Sequence, residues 1–117
     1  MNKRKLGNKY EQQAIEYLKS IGYVILESNY SSRTGEIDII ARDGEYYVFI
    51  EVKYRTNTSH GMPEEAVDMR KMKHITKTAR LYLCRHGLSE FTPCRFDVVA
   101  ILNDTTYCIK DAFEAAD

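Results

Sequence analysis

The chain has 117 residues, 44% hydrophobic and 29% charged, with 17 basic and 17 acidic residues that cancel to no net charge. This composition suits one soluble domain spanning 1–117, and no apolar run approaches the ~20 residues needed to span a bilayer. Cys84, Cys94 and Cys108 are odd in number without CxxC spacing, which argues against a disulfide framework or a zinc knuckle and leaves packing or surface roles.

The start, "MNKRKLGNKYEQQ", is basic but has no apolar stretch of a secretory signal, so the expected compartment is the cytoplasm. "KLGNKYEQQAIEYLKSIG" has helical periodicity, with Gly22 placed to end the helix. "YVILESNYS" reads as a strand, and "GEIDIIARD" and "EYYVFIEVKYR" as two more around the turn signal Asp43-Gly44. "TNTSHGMP" is a polar loop, after which Pro63 opens a short helical turn, "PEEAV". "DMRKMKHITKTARLYLCRHG" is a long helix closed at Gly87, and "CRFDVVAIL" and "TTYCIKDAF" are two final strands around Asn103 and Asp104. The order α-β-β-β-α-β-β, with no repeat or linker, predicts an α/β layer with a mixed sheet. His60, His74 and His86 form no ligand pattern and read as structural or exposed.

Charge is unevenly placed along this order. Lys3, Arg4, Lys5 and Lys9 crowd the N-terminus, and Arg70, Lys71, Lys73, Lys77, Arg80 and Arg85 lie between Met69 and Ser89 without an acid. At 100° per residue, Met72, Ile75, Ala79, Tyr82 and Leu83 fall on one side of the long helix and Arg70, Lys73, Lys77 and Arg80 on another. Lys71 stands at the margin of the apolar side. The basic stripe has the chemistry a phosphate backbone seeks, although a solvated helix surface carries the same pattern. In the first helix, Leu6, Tyr10, Ala14, Ile15, Tyr17, Leu18 and Ile21 share an arc that contains Glu11, whereas Gln12, Glu16 and Lys19 lie outside it. A carboxylate on a core-facing stripe is costly unless it reaches water, a partner or a cation.

The second and third strands carry the main anomaly, because Asp, Glu and Lys are poor strand residues. With Asp43-Gly44 as a two-residue turn, Arg42 faces Glu45, Glu36 faces Glu51 and Asp38 faces Phe49. Glu36, Asp38, Glu51 and Lys53 then share one side, and Ile37, Ile39, Ile50 and Val52 the other. Three carboxylates on one face repel one another. A salt bridge from Lys53 answers one of the three charges, whereas Mg²⁺ or Mn²⁺, which prefer hard oxygen ligands, would answer the set.

Glu11, "GEID" at 35–38 and "EVK" at 51–53 together resemble the PD-(D/E)XK nuclease pattern. The likeness is greatest to the YraN-type group of small bacterial proteins, predicted endonucleases similar to archaeal Holliday junction resolvases. It covers nearly the whole chain, through "LGNKYEQQA", "GYVILESNY", "GEIDIIARDG", "VFIEVKYR", "PEEAVDMRK" and "RFDVVAI". Tyr10 departs from the glycine usual before the helix glutamate. The resemblance implies a restriction-endonuclease-like three-layer core, with a central mixed β-sheet flanked by α-helices.

It also implies a metal-dependent endonuclease acting on DNA, of branched or other structure. Asp38, Glu51 and the Val52 carbonyl would ligate Mg²⁺ or Mn²⁺, and Glu11 would bind a second metal or fix a water. Lys53 would orient or deprotonate the attacking water or stabilise charge on the phosphate. Glu36, Arg55 and Lys71 would support these groups, and Arg70, Lys73, Lys77 and Arg80 would contact nucleic acid. Asp97 reads as structural, paired with Arg95. No element for base-specific reading is visible, so recognition should be of shape and backbone. A non-catalytic nucleic-acid-binding or protein-interaction module on the same fold is the alternative class, and a homodimer is a candidate assembly.

Overall fold

A computed structural model describes residues 3–116, with side chains from Lys9 to Ala116. The elements are α1 (Lys3–Ser20), β1 (Val24–Ser32), β2 (Gly35–Asp43), β3 (Tyr46–Arg55), a 3-10 turn (Pro63–Ala66), α2 (Met69–Arg85), β4 (Cys94–Leu102) and β5 (Thr105–Phe113). The five strands form one mixed sheet in the order β1-β2-β3-β4-β5, in which only β3 and β4 run parallel. Parallel neighbours need a long crossover, and the 3-10 turn and α2 supply it.

Local chemistry explains the helix ends. Gly22 and Gly87 follow α1 and α2 with φ of 97° and 67°, the left-handed conformation that closes a helix without a Cβ penalty. At the other end of α2, the Asp68 carboxylate accepts a hydrogen bond from the Lys71 backbone N–H at 2.9 Å, as an N-cap does. The side chains of Lys3, Arg4, Lys5 and Leu6 lie outside the described ones.

The sheet has a core on each face. Ala14 and Leu18 of α1 pack with Tyr23, Ile39, Ala41, Val48, Ile50 and Val99, with Val52 at the margin. Ile75, Ala79, Tyr82 and Leu83 of α2 pack with Tyr30, Ile37, Ile40, Phe49, Phe96 and Val98. The result is a three-layer α/β core, an arrangement compatible with a restriction-endonuclease-like one. The apolar stripe read on the long helix is the one that buries.

Two sequence expectations for the β2–β3 pair need correction. The turn is Gly44-Glu45, with Gly44 at φ 60°, so Asp43 pairs with Tyr46, Arg42 with Tyr47 and Ile40 with Phe49. Gly44 thus takes the first central position that a type II′ turn reserves for glycine. Asp43 stays in the strand, where its carboxylate meets the Arg95 guanidinium at 2.8 Å. The partner moves by two positions, an even number, so side chains keep their faces.

The second correction is Ile37, which packs in the α2 core while Ile39 packs in the α1 core. Regular strands put residues two apart on one face, so the alternation breaks at Asp38. On β1, between the partners Ser28↔Ile39 and Tyr30↔Ile37, Asn29 sits at φ 55°, an irregularity beside the break.

Candidate active site

The break at Asp38 creates the site. Backbone pairing of β2 with β3 runs from Asp43↔Tyr46 to Ile39↔Ile50, and beyond it the Val52 N–H donates to Asp38 Oδ2 at 2.8 Å. A carboxylate thus takes the place of the next ladder bond. Val52 and the residues that follow pair on their other side with β4, from Val52↔Val99 to Arg55↔Leu102.

Around this point the chain gathers charge from three layers. Glu51, 4% exposed, has its Oε1 3.5 Å from Lys53 Nζ and 3.3 Å from Lys71 Nζ of α2. Glu11 approaches from α1, and with Tyr10, Asp38, Val52 and Tyr54 it lines a cleft of about 190 Å³. Two buried oxygens there have no hydrogen-bond partner, Glu11 Oε1 and Glu51 Oε2.

Burial and mutual repulsion work against ionisation. Burial, then the charges of Asp38, Glu36 and Glu51, raise the Glu11 carboxyl to about 7. Burial likewise lifts Asp38, against the Val52 hydrogen bond and the Lys71 and Lys53 charges. Burial, followed by the Asp38 charge, lifts Glu51. Each acid is held in surroundings that a positive group would relieve.

The donor set fits a hard divalent cation in kind, since carboxylate oxygens are what Mg²⁺ and Mn²⁺ prefer. The fit is incomplete in arrangement. Among the described residues, no three acidic, imidazole or thiol side chains close around one point as a metal cage. Glu51 presents one oxygen to two lysines and keeps the other unpartnered.

Asp38, Glu51, Lys53, Val52 and Glu11 are therefore brought together, with Lys71 on the α2 side. Glu36 is exposed, acting on Glu11 and Asp38 through its charge. Arg55 donates to the Tyr54 carbonyl at 2.7 Å. Arg70, Lys73, Lys77 and Arg80 are exposed along α2, and Arg80 also lines a cavity of about 480 Å³ with Leu83, Cys84, Leu88 and Glu90. Asp97 is fully buried and bonds the Arg95 guanidinium at 2.9 Å, the Tyr23 hydroxyl at 2.6 Å and the Asp111 N–H at 3.0 Å. That makes it a structural acid, as its sequence context suggests.

Tyr54 was missed by sequence reasoning. Its ring stacks on Tyr10 with centroids 3.8 Å apart and planes 16° from parallel, and the pair walls the cleft. The period-two rule puts Tyr54 on the same face as Val52 and would have found it. Tyr10, the departure from the usual glycine, fills the space beside Glu11 with a ring.

Comparison with known proteins identifies relatives of the chain. Residues 10–101 match the family described as "Uncharacterised protein family UPF0102". A UPF0102 protein of Lachnoclostridium phytofermentans is 52% identical over 115 residues, covering 98% of both chains. One from Persephonella marina is 44% identical over 108 residues, covering 92% of both chains. Another from Clostridium botulinum is 41% identical over 115 residues, covering 93% of this chain and 94% of its own. With a match over most of its length and such relatives, the chain belongs to UPF0102, the YraN family.

Proposed function

We propose that the protein is a metal-dependent endonuclease that hydrolyses phosphodiester bonds in nucleic acid, with structured or branched DNA as its substrate class. The observation that carries this reading is the convergence of Asp38, Glu51 and Lys53 where β2 and β3 part, with Glu11 facing them and two buried carboxylate oxygens unpartnered. Buried polar atoms without partners are uncommon in folded proteins and call for an explanation such as an absent ion or water.

Asp38, Glu51, the Val52 carbonyl and Glu11 are the groups that would hold Mg²⁺ or Mn²⁺. When bound, such an ion supplies Lewis-acid stabilisation of charge on the phosphate. Lys53 holds the attacking water beside phosphorus and places its ammonium where negative charge grows as the P–O bond to the leaving oxygen breaks. Asp38 keeps its orientation through the Val52 N–H. The exposed Arg70, Lys73 and Lys77 offer contacts to the phosphate backbone, without base selection.

The pairing of Glu51 with two lysines favours the second reading, a nucleic-acid-binding module in which internal ammonium groups answer the acids. The test is cleavage of labelled linear, flapped and four-way DNA and of RNA, with Mg²⁺ and with Mn²⁺. Cation-dependent products that vanish with Asp38→Asn support the nuclease. Tight binding without products under every condition supports the module.

A further inference from the structure

We propose that Lys71 is the site's resident counter-cation, holding Glu51 when no divalent ion is bound and yielding it when one arrives. This rests on the metal-dependent reading above and deepens it.

The geometry is specific. The Asp68 carboxylate caps α2 through the Lys71 backbone N–H, which fixes the third residue of the helix. From there the side chain crosses to β3 and sets Nζ 3.3 Å from Glu51 Oε1. Glu51 is 4% exposed, so its charge is costly there unless a cation answers it.

Lys53 and Lys71 both approach Oε1, and Oε2 keeps no partner even with the two in place. Lys71 also has somewhere to go. Its side chain is 37% exposed and lines an open cleft of about 330 Å³ with Ala66, Asp68, Arg70 and His74. One anionic position thus faces an ammonium that is able to leave. That accounts for a donor set of the right kind whose acids do not close into a cage.

Two cations gathered at one carboxylate oppose each other through their like charge, and the coupling is reciprocal. Lys71→Met keeps the apolar stem and removes the charge. The experiment is Mn²⁺ titration by calorimetry on the full chain, paired with thermal unfolding in EDTA and in millimolar Mn²⁺. Lys71→Met is expected to bind Mn²⁺ at least about fivefold more tightly than the natural chain, the low end of ordinary site-to-site coupling. In EDTA it should melt earlier, and Mn²⁺ should raise its midpoint more than it raises that of the natural chain.

Two controls separate this from general electrostatics. Lys71→Arg keeps a cation at Glu51 and should restore Mn²⁺ affinity close to the natural value. Lys77→Met removes the same charge from an exposed position of the same helix and should leave the affinity unchanged. If Lys71→Met fails to fold, Lys71→Gln carries the same expectations. Equal or weaker Mn²⁺ affinity in the folded variant overturns the assignment while leaving the metal site standing. Equal tightening by Lys77→Met overturns it too. A natural chain that binds no Mn²⁺ removes the metal reading, and the role of Lys71 with it.

Discussion

The backbone N–H of Val52 donates to the carboxylate of Asp38 at 2.8 Å, across the point where the β2–β3 ladder stops. One side chain thereby both ends the pairing and faces the cleft. Asp38→Asn keeps an oxygen that can accept this bond, so the fold should persist while Mn²⁺ affinity and cleavage fall together. Asp38→Ala leaves the N–H unpaired as well and should cost a further 1–3 kcal/mol or so of stability. Calorimetry and urea denaturation of the two variants separate the roles. Equal stability losses would mean that the hydrogen bond contributes nothing.

Lys53→Ala should behave differently from Asp38→Asn. It removes a cation from Glu51, so Mn²⁺ affinity should not decrease. Cleavage should drop by a factor of about 10² or more, the usual cost of deleting one group aimed at transition-state charge. Parallel metal titration and single-turnover cleavage check this, and a loss of metal binding would place Lys53 in a structural role instead.

Glu11 gives a pH dependence. Its folded-state pKa, about 7, lies above the ordinary 4.5, so the folded chain holds this proton more tightly than the unfolded chain. Its contribution to stability is therefore greatest below the unfolded value and is lost as pH rises from 4.5 to 7. In EDTA, Glu11→Gln should be the more stable protein at pH 8, by less than about 1 kcal/mol because water still screens the group. Denaturation midpoints between pH 5 and 8 test it, and a variant with an unchanged pH slope would count against the assignment.

Asp97 predicts a larger effect. It is fully buried and accepts from Tyr23, Arg95 and the Asp111 N–H, at a bulge where Asp111 has φ 54°. Asp97→Ala strands those donors and leaves the Arg95 charge with Asp43 as its remaining carboxylate partner, at a cost of about 3–5 kcal/mol. Thermal or chemical unfolding measures it, and a loss below 1 kcal/mol or so would mean that water replaces the network.

The α2 stripe concerns nucleic acid. Lys73→Glu with Lys77→Glu should weaken DNA binding and make its salt dependence shallower, by about 0.9 in log–log slope for each phosphate no longer neutralised. Fluorescence anisotropy across a salt series reads both. Unchanged affinity would leave the stripe as solvated surface.

The legible part of the site came from parity. The turn shifted from Asp43-Gly44 to Gly44-Glu45, yet Glu51 and Lys53 kept the α2 side because the partner moved by an even number of positions. Ile37 was misplaced because the break in alternation coincides with Asn29, a residue of another strand. Nothing in "GEIDII" announces its neighbour's backbone.

The sequence by itself determined the order of the elements and their approximate extents, which stripe of α2 is apolar, and which residue types meet near the β2–β3 pair. Periodicity and end signals are local, and they report each element's own faces. The tertiary structure alone decided that Lys71 reaches Glu51, that Tyr10 stacks on Tyr54, and that Asp38 takes the Val52 N–H. These contacts depend on how far each helix slides along the sheet and where a ladder opens. Close packing of both cores sets those positions, and no single element encodes them.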